Sequence, residues 1–237
     1  MKLEHGLLRV RAVLESLHAF PRLTRPIYRM RYGKLGRYLA EARAIPGWLT
    51  RRESLTLALL SYNAGAQAVI VEIGSFLGRS AVVLAGARKE RGSGVVHCVD
   101  PFDASGDSFS APIYEAISAG SHASLRERFD TNLARAGVEK WIRVHQGTAA
   151  SAAAGWSVPV DLLFMDGDQS PDGVRLAYQD WAAFLKVGGV LGLHNSSERT
   201  YAPGHDGHYL LARVLAESPE YSQIALVDST TFWRRLG

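Results

Sequence analysis

The sequence predicts an α/β fold: a doubly wound, mostly parallel sheet preceded by helices. Three observations carry this expectation. From residue 68 onward, short apolar runs alternate with helix-length stretches, the pattern of strand–helix–strand crossovers. Five of the runs are almost continuously apolar, as parallel strands covered on both faces must be. The last two runs are separated by too short a turn for a crossover, so they should form an antiparallel hairpin at one edge.

In chain order, residues 1–52 form a basic front segment. Residues 7–19 and 27–44 have helix-like apolar spacing and are separated by Pro21 and Pro26, which break or start helices. This segment carries twelve Lys and Arg against Glu4, Glu15 and Glu41, although the whole chain has a net charge of only +4. A basic segment can contact an anionic partner or present a solvated helical face, and no nucleic-acid motif accompanies it here. Thr50 with Glu53 three residues on makes a capping box, starting a helix that Gly65 can stop. Strands are expected at 68–74, 95–100, 141–147, 160–167, 189–195, 221–228 and 230–236. The helices between them are expected at 78–90, 121–136, 172–185 and 206–217. The division is a helical segment over 1–52 and a ligand-binding domain over 53–237.

Composition excludes several classes. A single cysteine rules out an intrachain disulfide framework and a cysteine zinc site, and Cys98 itself falls within an apolar strand. No apolar run reaches the ~20 residues that span a bilayer. A cytoplasmic location is the expectation.

In doubly wound sheets, ligands bind at the carboxyl ends of the strands. The first strand runs into Glu72-Ile73-Gly74-Ser75-Phe76-Leu77-Gly78-Arg79-Ser80, where Gly74 permits a tight turn and the following helix start offers free amides to an anion. The spacing is G-x-x-x-G, not the dinucleotide G-x-G-x-x-G, and Glu72 would repel a pyrophosphate while accepting from an ammonium group. The second strand ends in Asp100, placed to accept ribose hydroxyls or to cap a loop. The third ends in Gln146-Gly147-Thr148, a polar loop suited to an adenine pocket.

The segments VEIGSFLGRS, VHCVDPF, DLLFMDGDQSPDGV and LGLHN, with the W-x-x-x-L-x-x-G-G run Trp181–Gly189, resemble class I S-adenosylmethionine-dependent methyltransferases. The branch they resemble holds the macrocin- and cephalosporin-type O-methyltransferases, over residues 46–236. The resemblance implies a Rossmann-like seven-stranded sheet with an antiparallel last strand. It further implies S-adenosylmethionine contacts from Glu72, Gly74, Ser75, Asp100, Gly147, Thr148 and Asp166. The implied reaction is methyl transfer to a hydroxyl of a small molecule or sugar.

The catalytic pattern departs from that family. Many relatives bind a divalent cation through carboxylates after the fourth and fifth strands, with a D-G-D-H motif at the first. This chain has Asp166-Gly167-Asp168-Gln169, then His194-Asn195. Asp166, Asn195 and His194 remain a candidate Mg²⁺ set, weakened by having one carboxylate. Without metal, His194 or Asp168 is the candidate base, with a structural histidine as the alternative for His194. The loops 100–125 and 196–209, which carry Phe102, Phe109, Tyr114, His122, Tyr201 and His205, are long enough to be lids over an acceptor pocket. His205, Asp206 and His208 match no standard metal spacing. The front helices suggest a homodimer contact. A cofactor-binding protein without catalysis stands as the alternative, motivated by Gln169 and Asn195. An NAD-dependent oxidoreductase and a nucleic-acid methyltransferase are weaker readings.

Overall fold

A computed structural model describes residues 21–237. Five strands are parallel: β1 (Val69–Ile73), β2 (Val95–Asp100), β3 (Ile142–Gln146), β4 (Val160–Met165) and β5 (Leu185–Leu193). The hairpin of β6 (Tyr221–Val227) and β7 (Thr230–Arg235) completes a seven-stranded sheet in the order β3-β2-β1-β4-β5-β7-β6. β7 inserts between β5 and β6 and is antiparallel to both, so it is the one strand running against the rest. This is the Rossmann-like sheet with an antiparallel last strand.

The order reverses at β1, whose neighbours are β2 and β4, and the strands alternate their side chains between two cores. Ile70, Val96, Cys98, Leu162, Phe164 and Phe232 face one layer of helices. That layer holds α1 (Pro21–Tyr32), α2 (Gly36–Arg43), α3 (Arg51–Asn63), α4 (Arg79–Arg91) and, past the exposed α5 (Ala111–Ala119), α6 (Leu125–Ala136). Val71, Ile73, Leu163, Met165, Leu191 and Trp233 face the other layer, made by α7 (Ala149–Ala153), α8 (Pro171–Trp181) and α9 (Gly207–Ala216). Cys98 and Trp181 are fully buried, as their apolar settings in the sequence require.

The expected helix at 7–19 lies outside the described residues. Pro26 does not break the front segment: α1 runs through it to Tyr32. One missing backbone donor is offset by anchoring, since Arg25 Nε donates to buried Glu41 Oε1 at 2.6 Å and Arg135 Nε donates to Oε2 at 3.2 Å. These contacts tie α1, α2 and α6 together. β5 begins at Leu185, earlier than the sequence predicts, because the strand passes through Gly188 and Gly189 with a register shift against β4. The capping box at Thr50 and Glu53 is present, both halves made. No helix among the described residues is long and apolar enough to cross a membrane.

Candidate active site

All the strand-end motifs meet on one edge of the sheet because the parallel registers align their carboxyl ends. Ile73 pairs with Val99 and Met165, Asp100 with Gln146, and Met165 with Leu193. The next residues, Gly74, Asp166 and His194, therefore stand side by side. Gly74 has φ +86°, and a Cβ there would overlap the Asp166 carbonyl, so only glycine allows the β1 and β4 loops to approach this closely.

The turn after β1 is held from below and from the side. Ser75 Oγ donates to Glu72 Oε2 at 2.5 Å. Glu72 is fully buried, burial lifts its carboxyl to about 7 against the hydroxyls that stabilise its charge, and its Oε1 has no partner among the described residues. It lies beneath the loop, outside the lining of either cavity described below. Asp100 Oδ2 accepts the amides of Ser75 and Phe76 at 2.8 and 2.7 Å, and Oδ1 accepts that of Phe102 at 2.7 Å. These bonds hold Phe76 at φ +45°, a conformation bulky residues rarely adopt.

Two cavities open along this edge. One, of about 400 Å³, is lined by Val99, Asp100, Gly147, Thr148 and Leu176, with Asp168 at its rim. The other, of about 570 Å³, is lined by Trp48, Arg79, His194, Asn195, Tyr201 and His205. They share Gly74, Phe76, Tyr114 and Asp166, so these four residues mark the junction. Trp48, Phe76 and Tyr114 form a ring cluster there, with centroids 5.0 to 5.8 Å apart.

At the junction, His194 Nδ1 lies 2.6 Å from Asp166 Oδ1. The carboxylate can only accept, so Nδ1 carries the hydrogen, and Nε2 has a free lone pair when the ring is neutral. Nε2 is 4.0 Å from Glu53 Oε2. Glu53 is itself buried and fixed by the Thr50 amide at 2.8 Å, the Ser229 amide at 2.9 Å and the Ser229 and Thr230 hydroxyls. Burial pushes the His194 imidazolium down, but Asp166 and then Glu53 outweigh it, so its pKa lies above the ordinary value.

Glu53 is the residue whose site position the sequence conceals. Its capping-box role is local, whereas its contact with residues 194 and 229 is set by tertiary packing. Asp107 is another, accepting His205 Nδ1 at 3.0 Å and so joining the loop after β2 to the loop after β5. Of the two lids expected, Phe109, Tyr114, Tyr201 and His205 line the larger cavity. Phe102 instead packs on Phe129, and His122 is exposed.

The candidate metal ligands do not fit Mg²⁺ as they stand. Asp166 Oδ1 is taken by His194, and Asn195 Oδ1 accepts Arg199 Nη2 at 2.5 Å, which puts a guanidinium where a cation would have to sit. Asn195 Nδ2 donates to Gln169 Oε1 at 3.1 Å. Asp168 Oδ1 caps the Ser170 amide at 2.8 Å, on the side of the smaller cavity. No cluster of three His, Cys, Asp or Glu suited to a metal occurs among the described residues.

The sequence profile of a methyltransferase-domain family matches residues 71–196. The fold is similar to that of cofactor-bound Rv0187 from MTB, at 20% identity and TM-score 0.62, covering 91% of this chain and 96% of that one. It is also similar to TomG from Streptomyces achromogenes, an O-methyltransferase of tomaymycin synthesis solved with SAM (20%, TM-score 0.58, 86% and 90%). A third is the Bacillus cereus O-methyltransferase in complex with SAH (18%, TM-score 0.60, 86% and 90%).

Proposed function

The chain belongs to the methyltransferase-domain family, and from that premise we propose that it transfers a methyl group from S-adenosylmethionine to a hydroxyl of a small molecule, without a metal. The observation that carries this reading is the His194–Asp166 pair at the junction of the two cavities.

The smaller cavity suits the cofactor. Gly74 leaves a cradle that a Cβ would fill, and Gly147 and Thr148 form a polar wall opposite. Asp100 Oδ1 keeps a lone pair for a ribose hydroxyl beyond the one amide it holds, whereas Oδ2 is filled by two. Glu72 lies beneath the β1 turn, the Ser75 it holds lines the larger cavity, and Asp166 reaches the junction. S-adenosylmethionine, bound there, supplies an electrophilic methyl on a sulfonium.

The larger cavity takes the acceptor. Its hydroxyl lies against His194 Nε2, which accepts the proton as the oxygen attacks. Asp166 fixes the ring through Nδ1 and, with Glu53, stabilises the imidazolium formed. Asp168, facing the other cavity and already holding Ser170, is the weaker base. Trp48, Phe76 and Tyr114 exclude water around the transferring group, and holding donor and acceptor in line supplies much of the rate.

Calorimetric titration with S-adenosylmethionine and S-adenosylhomocysteine, each with and without Mg²⁺, tests the reading, followed by turnover on a panel of hydroxyl acceptors. The expectation is binding of both ligands and turnover unchanged by EDTA. A folded protein that binds neither sinks the proposal. Binding without turnover on any acceptor favours a partner or regulatory role.

A further inference from the structure

The larger cavity leaves apolar surface uncovered, while most of its polar groups are bonded to the protein. Trp48 and Phe109 line it with 49% of their surface exposed, and Ile113 with 36%. Ile113 and Tyr114 belong to α5, a helix rich in Ala and Ile that carries one charge, Glu115, and has no buried residue. An apolar helix left half-covered by its own protein finds the rest of its cover in a ligand. Trp48, in the loop between α2 and α3, faces this helix, its ring 5.6 Å from that of Tyr114. Phe76 lies 5.0 Å from Tyr114 and continues the wall.

The polar side chains of the same cavity are held by neighbours. Thr50 Oγ1 donates to Asp228 at 2.6 Å, Ser229 Oγ to Glu53 at 2.7 Å and Tyr201 Oη to the Ser197 carbonyl at 2.8 Å. Arg79 donates to the Gly47 carbonyl, and Asn195 is taken by Gln169 and Arg199. A sugar would give up water at each hydroxyl here and regain few bonds, and buried polar groups left unpaired are costly. The base sets a second limit. A phenol ionises at about 10 and an alkyl hydroxyl close to water at about 15.7, so a histidine takes the proton of the phenol far more readily. Asp166 and Asn195 are already engaged, so a second hydroxyl beside the first gains nothing. We propose that the acceptor is a phenol: a planar, largely apolar ring compound with one reacting hydroxyl, its ring between α5 and Trp48 and its oxygen against His194. The aryl C–O bond to methyl forms as the methyl–sulfur bond breaks, the electron pair stays on sulfur, and the phenolic proton passes to His194 Nε2. The products are an aryl methyl ether and S-adenosylhomocysteine. This rests on the methyltransferase reading and adds the substrate class to it.

The probe is 2-naphthol, titrated calorimetrically into protein saturated with S-adenosylhomocysteine, beside 2,3-dihydroxynaphthalene and methyl α-glucopyranoside. The proteins are the wild type, Phe109→Ala, Ile113→Ala, the double variant and Ile224→Ala, an exposed position on β6 outside the cavity. Phe109 and Ile113 are exposed and line only the larger cavity, so S-adenosylhomocysteine affinity should hold in every variant, which also verifies folding. 2-Naphthol should bind the wild type and Ile224→Ala alike, weaken about five-fold in each single variant and about twenty-fold in the double. The sugar should not bind, and the second hydroxyl of the diol should change affinity less than about two-fold, with or without Mg²⁺. With S-adenosylmethionine as the loaded ligand, 2-naphthol should leave as 2-methoxynaphthalene. No 2-naphthol binding to the loaded wild type, binding undiminished in the double variant, binding without formation of the ether, or a sugar held as tightly overturns the inference. So does a diol held about ten-fold more tightly in Mg²⁺, which would assign the inner end to a metal and a pair of hydroxyls. A dimeric mass in solution with no naphthol binding also overturns it and assigns the exposed rings to a second copy of the chain. Failure of S-adenosylhomocysteine itself to bind the wild type instead removes the methyltransferase reading underneath, and the inference with it.

Discussion

At His194 burial and charge act in opposite directions, and the carboxylates of Asp166 and Glu53 decide the outcome in favour of the proton. A base must be neutral to accept, so the raised pKa moves the acid limb of the activity profile above 6.5, with turnover lost as pH falls through it. Asp166→Asn removes the larger of the two favourable charges. The limb should then move to lower pH while kcat falls, because the ring loses its orienting acceptor. His194→Gln should lower kcat by about 10²–10³, the share expected of a positioned base, with S-adenosylhomocysteine affinity little changed. Both are read from pH–rate profiles and calorimetry on an acceptor that turns over. A His194→Gln variant retaining full kcat would eliminate it as the base. Both members of the pair were legible singly as strand-end residues. Their contact depends on the pairing of Met165 with Leu193, and Glu53 enters only through the packing of α3 against the hairpin.

The elements legible in the sequence are those with strong patterning. β1, β2, β4 and the second half of β5 pack against both cores and read as apolar runs, β3 is a half-exposed edge strand, and the hairpin is fixed by its short turn. α5 has no buried residue and so no apolar stripe to reveal it, and five-residue α7 is too short to show a period. The docking of the front helices was not readable at all, since it depends on Gly86 within α4. A Cβ at Gly86 would overlap the Tyr38 ring, and Tyr38 is buried with its hydroxyl donating to Glu90 at 2.9 Å. In an isolated helix Gly→Ala gains about 1 kcal/mol. Here overpacking reverses the sign, and Gly86→Ala should destabilise by about 2 kcal/mol, lowering Tm by about 4–8 °C. A thermal melt showing a higher Tm would mean that α2 is held loosely on α4.

Among the described residues, several groups resist their ordinary ionisation because of burial, and three of them, His208, His97 and Glu72, act on the pH dependence of stability in opposite directions. Burial holds His208 down to about 3 and, with the neighbouring His145 and Arg143, holds His97 down to about 4. Each binds its proton more readily when unfolded, so the stability they contribute is present above about 6.5 and is lost as pH falls toward these values. Glu72, lifted by burial to about 7, acts the other way: the fold keeps its proton, and stability is lost as pH rises from 4.5 through 7. Asp100 and Asp166, also raised by burial, act with Glu72, and His145, also lowered, acts with the two histidines, so the contribution of each is read from the change its variant makes to the slope of Tm against pH. Between pH 4.5 and 6.5 Glu72→Gln should make Tm fall more steeply on acidification than in the wild type, because an opposing group is gone. His208→Leu, close in volume and unable to charge, should flatten it by up to about 1.4 kcal/mol per pH unit. Melting curves at pH 5, 6 and 7 for the three proteins decide the point. A His208→Leu slope equal to that of the wild type would show that His208 gains its proton inside the fold, and that α9 yields to admit water.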